Sequence, residues 1–299
     1  MYTIIGAGGF LGSYFQKVIL EDTVEDIVCV DKNINENKTS ERINWYQLDI
    51  TDKDAVDIFL NELSKYEDVK IIYLAAYHNP DLVQQNRQLA WNINVTSLSY
   101  FINKADFASC IYYPSTDSVY GESIDKYHFK ENDNLNPVNF YGHNKCAAEA
   151  IMVHSGRNVV RFPFLISPSL SNKPHFYDQI YETLSKNKPI EMYKDSYRSS
   201  LSFENAARLT VELIEKNNVH SIVNVCGDKD YSKYDVGVMI AEKYGFDSQL
   251  VIPITMDKKM DGFVSKRATS TLMDNSLLKE ILNLEYVDIF DEPIYKKVN

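Results

Sequence analysis

Gly6-Ala7-Gly8-Gly9-Phe10-Leu11-Gly12 follows directly on the apolar run Tyr2–Ile5 and leads into an amphipathic stretch, Leu11–Leu20. Four glycines in seven residues are more than a tight turn needs. Glycine adopts dihedrals that other residues resist, and it lets N–H groups at a helix N-terminus approach a pyrophosphate. The spacing Gly6-x-x-Gly9-x-x-Gly12 between strand and helix predicts a dinucleotide site, with Gly6, Gly9, Phe10, Leu11 and Gly12 as its contacts.

Working outward, Asp31 ends the second apolar run, 19 residues after Gly12. A carboxylate there accepts both ribose hydroxyls of an adenosine and repels a 2′-phosphate, so NAD(H) is expected over NADP(H). Lys32 weakens that preference, because an ammonium can offset the repulsion. Asp49-Ile50, after the third run, either borders the adenine or caps a helix beginning at Thr51–Val56.

Short apolar runs then alternate with helical patterns, as in a parallel sheet covered on both faces. The strands are expected at Tyr2–Ile5, Asp26–Val30, Trp45–Leu48, Lys70–Ala75, Ser109–Tyr113 and Val159–Phe164. The helices are expected at Leu11–Leu20, Lys53–Ser64, Leu82–Lys104 and Tyr141–His154, and Asn33–Lys38 reads as a solvated loop. Right-handed crossovers wind such elements into an α/β, Rossmann-type doubly wound sheet. Beyond about residue 166 the rhythm loosens, with helices near Phe176–Leu184 and Phe203–Lys216 and a buried strand at Ile222–Val225. The expected division is 1–166 for the cofactor, also receiving about 203–227, and 167–299 as a smaller mixed substrate-binding part.

A net charge of −11 disfavours nonspecific binding to nucleic acid or an anionic membrane. No apolar run approaches a membrane span and the first residues carry no signal-peptide pattern, so a cytoplasmic location is expected. Cys29, Cys110, Cys146 and Cys226 lack metal-ligand spacing and read as free thiols; no metal site is expected.

Tyr141-Gly142-His143-Asn144-Lys145 sets a phenol and an amine one helical turn apart on one face. An ammonium about 4 Å away, at an effective dielectric of about 20, favours the phenolate by roughly 4 kcal/mol, or about three pK units before desolvation. That is the shift a general acid/base needs. Upstream, Pro114-Ser115-Thr116-Asp117-Ser118-Val119-Tyr120-Gly121 closes the fifth strand, at the strand ends where such sheets hold ligands.

With these motifs in this order, nearly the whole chain resembles the extended short-chain dehydrogenase/reductase superfamily, specifically its nucleotide-sugar epimerases, dehydratases and reductases. The resemblance implies that Thr116 hydrogen-bonds the reacting sugar oxygen, that Tyr141 is the acid/base, and that Lys145 lowers its pKa and binds the nicotinamide ribose. It implies that Ala75-Ala76 line the cofactor and that Asn94-Val95 support the site. Arg198, in Tyr197–Phe203, and Arg267, in Lys266–Ser270, would grip a nucleotide diphosphate, for which a guanidinium fork is suited.

Asp117 would lie against the substrate. In the dehydratases a Glu follows this Asp; here Ser118 does, which argues against dehydration. A hydride-transferring epimerase and a 4-keto-sugar reductase resembling the dTDP-4-dehydrorhamnose reductases both remain open. A noncatalytic NAD-binding regulatory subunit is the competing class, against which stands retention of Thr116, Tyr141 and Lys145. A simple alcohol dehydrogenase is favoured if Arg198 and Arg267 point into solvent. Family habit implies a homodimer through Leu82–Lys104 and Tyr141–His154.

Overall fold

The computed structural model describes residues 1–34, 40–171, 173–256 and 264–289, and the backbone of Tyr295–Lys297. Seven parallel strands form the central sheet in the order Ile222–Asn224, Asn158–Phe162, Cys110–Thr116, Lys70–Tyr73, Tyr2–Ile5, Ile27–Asp31, Ile43–Gln47. The chain thus starts mid-sheet and winds outward in both directions, which is the expected doubly wound topology. The seventh strand is the late run at Ile222, returned to the sheet in register Ile222↔Val159.

Side chains alternate across the pleat, so each strand feeds two cores. On one face Ile4, Phe15, Val18 and Ile19 pack with Leu209 and Leu213; on the other Ile5, Val56, Phe59, Phe101, Ile102 and Met152 come together. Leu209 and Leu213 belong to helix Phe203–Glu215, whose apolar stripe places it on the first-face core with helix Phe10–Asp22. Ile166, Tyr177, Ile180, Met192, Val236 and Ile240 form a third core under the C-terminal part. There short strands pair locally, Ile190–Tyr193 with Val251–Ile254 and Tyr197–Arg198 with Tyr231–Ser232.

Several boundaries depart from expectation, among them the strand expected at Lys70–Ala75, which ends at Tyr73. The segment read as one helix over Leu82–Lys104 is broken into Pro80–Gln85, Arg87–Trp91, a π turn at Asn92–Thr96, and Ser97–Lys104. Asn86 leaves the helical region at φ −127°, ψ 55°. The buried Asn94 side chain accepts from the Tyr77 amide (2.7 Å) and donates to its carbonyl (3.1 Å), pinning the loop after Lys70–Tyr73. Pro163 and Phe164 fall outside the strand that precedes them. Asp52, not Asp49, caps helix Lys53–Leu63, accepting from the Ala55 amide. Of the loop read at Asn33–Lys38, 35–38 lie outside the described residues.

Candidate active site

The glycine turn crosses the C-terminal end of the first strand, and its geometry explains the residue choice. Gly6 has φ +91°, and a Cβ there would sit 2.7 Å from the Ala75 amide nitrogen. At Gly12 a Cβ would meet the Ala7 carbonyl at 2.6 Å. A Cβ at Gly9 meets only the Gly6 carbonyl oxygen, at 3.4 Å, and Gly9 itself lines the cavity. No side chain caps the helix that starts at Phe10, and its first turn holds no acid. This cradle of uncapped N–H groups with room above Gly9 fits a dinucleotide pyrophosphate.

Gly6→Ala is therefore expected to weaken NADH binding and to cost about 2–4 kcal/mol of stability, from the left-handed backbone and the overlap together. Gly156→Ala is the control: φ is +67° there, but no atom lies within 4 Å of the added Cβ. Urea unfolding and NADH fluorescence titration read both variants. Equal effects of the two would remove the steric explanation.

Asp31 accepts from the Gly8 amide at 2.9 Å and from the Asn33 amide at 3.2 Å, which holds its carboxylate beside the turn. Lys32 is drawn away, its ammonium 2.8 Å from Asp49. Asp49 also accepts from the Thr51 amide and hydroxyl, and the Lys32 hydrogen bond pulls its carboxyl down to about 2. Asp31, Asp49 and Ile50 do not line the cavity described next, and Ala75 meets the turn through its backbone rather than facing that cavity.

A cavity of about 550 Å³ runs from the glycine turn to the C-terminal part. Gly6, Gly9, Phe10, Leu11, Gly12 and Ala76 line one end, Thr116, Asp117, Tyr141 and Lys145 the middle, and Arg198, Lys233 and Arg267 the remainder. Asn139 starts helix Phe140–His154 by accepting from the Gly142 amide, which fixes Tyr141 in the first turn and Lys145 one turn on. The Tyr141 hydroxyl makes no hydrogen bond among the described residues.

Lys145 is buried, donates to the Pro114 carbonyl at 2.8 Å, and lies 4.3 Å from the Tyr113 ring centroid but 6.0 Å from that of Tyr141. The expected lowering of the Tyr141 pKa by an adjacent ammonium is not what this arrangement produces. Burial, aided by the Asp117 carboxylate, holds the phenol above its ordinary value, and burial pushes the Lys145 amine down to about 7. Desolvation outweighs the pair attraction because both groups favour their neutral forms away from water.

A depressed amine has a sign. Below about pH 7 the cofactor-free fold must bury an ammonium that the unfolded chain keeps in water, and that penalty fades as pH rises toward about 10.5. The stability of the wild type relative to Lys145→Met is thus expected to climb between about pH 7 and about pH 9.5, read from urea midpoints. A flat or falling difference would contradict the buried-amine account.

Thr116 donates to Asp117 (3.0 Å) and its oxygen accepts from the Ser118 amide (3.2 Å), so this hydroxyl is oriented by its neighbours. Burial raises the Asp117 pKa, opposed by Arg198, whose Nε lies 3.1 Å from the carboxylate. The rest of the Arg198 guanidinium donates to the carbonyls of Tyr197, Ala268 and Thr269. Arg267 reaches Asp81 at 3.1 Å. Neither arginine points into solvent, yet both already hold carboxylates.

Sequence reasoning missed several lining residues. His175 lies edge-on to Phe10 and Phe203, 4.8 and 5.0 Å between centroids, and roofs the cofactor end. Lys233 and Tyr193 face the cavity from the C-terminal part. Only Lys233 left a signal: a cation at the first position of a helix, where the macrodipole favours an acid.

Known proteins agree with this architecture. The chain is 25% identical to a hypothetical dTDP-4-dehydrorhamnose reductase from Sulfolobus tokodaii, covering 97% of each chain with a TM-score of 0.79. A UDP-glucuronic acid 4-epimerase from Bacillus cereus, solved with UDP-glucuronic acid and NAD, is 18% identical over 97% of this chain and 94% of that one, with a TM-score of 0.78. Among curated proteins, methionine adenosyltransferase 2 subunit beta of Xenopus tropicalis is 24% identical over 263 residues, 84% of this chain and 74% of that protein. The model of the RmlD substrate binding domain matches residues 1–288, and the chain belongs to that family.

Proposed function

We propose that this chain is an NAD(P)-dependent oxidoreductase that reduces a keto group on a nucleotide-diphosphate sugar. The observation that carries the reading is the uncommitted Tyr141 hydroxyl, lining one cavity with Thr116, Lys145 and the glycine turn. The Tyr141 phenol is protonated at neutral pH and so carries a proton for a carbonyl oxygen, while burial, which holds its pKa above the ordinary value in the cofactor-free protein, works against the transfer. When bound, the nicotinamide cofactor supplies the hydride. Thr116 orients the sugar oxygen, Tyr141 gives it a proton, and Lys145 holds the helix end against the Pro114 carbonyl. Asp31, unpaired with Lys32, supports a preference for NAD over NADP.

On this reading residues 1–166, with 203–227, carry the cofactor, and 167–299 shape the substrate half. The location is cytoplasmic and the active form a homodimer through 82–104 and 141–154. No described helix is long and apolar enough to cross a membrane.

The test is to denature purified protein and identify released nucleotides by mass, then to follow NADH and NADPH oxidation with a dTDP-4-keto sugar. An empty pocket and substrate-dependent oxidation support the reductase. Retained NAD without net oxidation supports an epimerase instead. A second reading, a regulatory subunit, draws on the likeness to methionine adenosyltransferase 2 subunit beta. It predicts a stable complex with a methionine adenosyltransferase and no turnover.

A further inference from the structure

Lys233 opens helix Lys233–Tyr244, with its stem against the cavity. Its ammonium lies 5.5 Å from the ring centroids of Phe164 and Phe176 and 5.9 Å from that of Tyr193, and it has no hydrogen bond or ion pair among the described residues. Rings at that distance stand near the outer limit of cation–π attraction, about 6 Å, and carry no counter-charge. The helix dipole opposes a cation at this end. The nearby Arg198 and Arg267 guanidiniums oppose it as well, and together with burial, the larger cause, they bring the amine down to about 8. The neighbouring carboxylates are committed, Asp117 to Arg198, Asp81 to Arg267, and Asp235 in the first turn of the helix to the Ser232 amide and hydroxyl.

One positive charge on this wall is therefore left over, in a chain whose net charge is −11. A lysine held by three aromatic rings, against both the dipole and two guanidiniums, is a costly way to pack a cavity wall. It is an apt way to present one cation to a ligand. We propose that Lys233 is a specificity-determining residue that pairs with an anionic oxygen group of the substrate, either a phosphate oxygen or a carboxylate on the sugar. This rests on the nucleotide-sugar reading above. Arg198 and Arg267 then fix the shape of the wall, and Lys233 supplies the charge that the substrate meets.

The experiment is calorimetric titration of NADH-saturated protein, wild type, Lys233→Met and Lys233→Arg, with inorganic pyrophosphate, UDP-glucose and UDP-glucuronate. Loss of one charge-assisted contact weakens binding on the order of ten- to a hundredfold. A loss of that size in Lys233→Met for all three probes, restored by Lys233→Arg, assigns the contact to phosphate. A loss confined to UDP-glucuronate assigns it to the sugar carboxylate. Unchanged affinity of Lys233→Met for every probe that the wild type binds overturns the inference while the nucleotide-sugar reading stands. Pyrophosphate binding that depends on Lys233, without binding of either nucleotide sugar, keeps the anion site and counts against the nucleotide-sugar reading. A wild type that binds none of the three overturns both.

Discussion

Tyr141→Phe is expected to lower turnover by about two to four orders of magnitude, the range that a positioned general acid contributes. The substitution removes one oxygen from a ring at the cavity wall and leaves the glycine turn, His175 and Phe10 untouched, so NADH affinity should change by less than about twofold. The phenol has no hydrogen-bond partner among the described residues, so its removal strands no buried group and should not lower stability. Steady-state kinetics, NADH titration and urea unfolding on one preparation separate these effects. Turnover within a few-fold of wild type would mean that the proton comes from elsewhere, with Asp117, raised by burial, the next group to remove. Loss of NADH binding in parallel would mean that Tyr141 holds the cofactor rather than the proton.

Arg161→Met should destabilise the protein by about 3–5 kcal/mol, the effect of leaving one half of a buried ion pair behind. Arg161 and Glu149 are 2% and 3% exposed, with a closest approach of 2.6 Å. Arg161 also donates to the Tyr120 hydroxyl and the Glu131 carbonyl, and Tyr120 in turn donates to Asn224 on the last strand of the sheet. Glu149 stands one turn beyond Lys145 on the same helix, so this network seats that helix against strand Asn158–Phe162. Without the guanidinium, the Glu149 carboxylate has no cation and the Tyr120 oxygen loses a donor. The double variant Arg161→Met, Glu149→Leu should recover much of the loss, because no charge is then stranded. Single and double variants with equal, small effects in urea would show that solvent reaches the pair.

The sheet was legible because its determinants are local and repetitive. Short runs such as Tyr2–Ile5 are buried along their whole length, and glycines at 6 and 12 have a steric reason, with Gly9 leaving room over the helix start, that shows in spacing alone. The break in the 82–104 helix was not legible, since Asn94 acts through the backbone of Tyr77, 17 positions upstream, a contact that no helical pattern encodes. Tyr141 and Lys145 could be paired by periodicity, but not the direction of their titration. That depends on how much water the fold removes and on the Pro114 carbonyl, 31 positions away, that receives the amine. Arg198 was readable as a cavity residue, whereas its commitment to Asp117 needed the short strand Tyr197–Arg198 to meet the turn at Asp117–Val119. Lys233 lay outside any motif, and its meaning arises from rings contributed by Phe164, Phe176 and Tyr193.

Transfer of deuterium from NADH or NADPH carrying deuterium at both C4 positions to a dTDP-4-keto sugar, followed by mass spectrometry of the product, tests the central claim most directly. The wild type should yield a 4-hydroxy nucleotide sugar one mass unit heavier than the product made with unlabelled cofactor, and Tyr141→Phe should yield almost none in the same time. Tight binding of the labelled cofactor with no deuterium in any sugar would contradict an oxidoreductase and leave a nucleotide-binding subunit in its place.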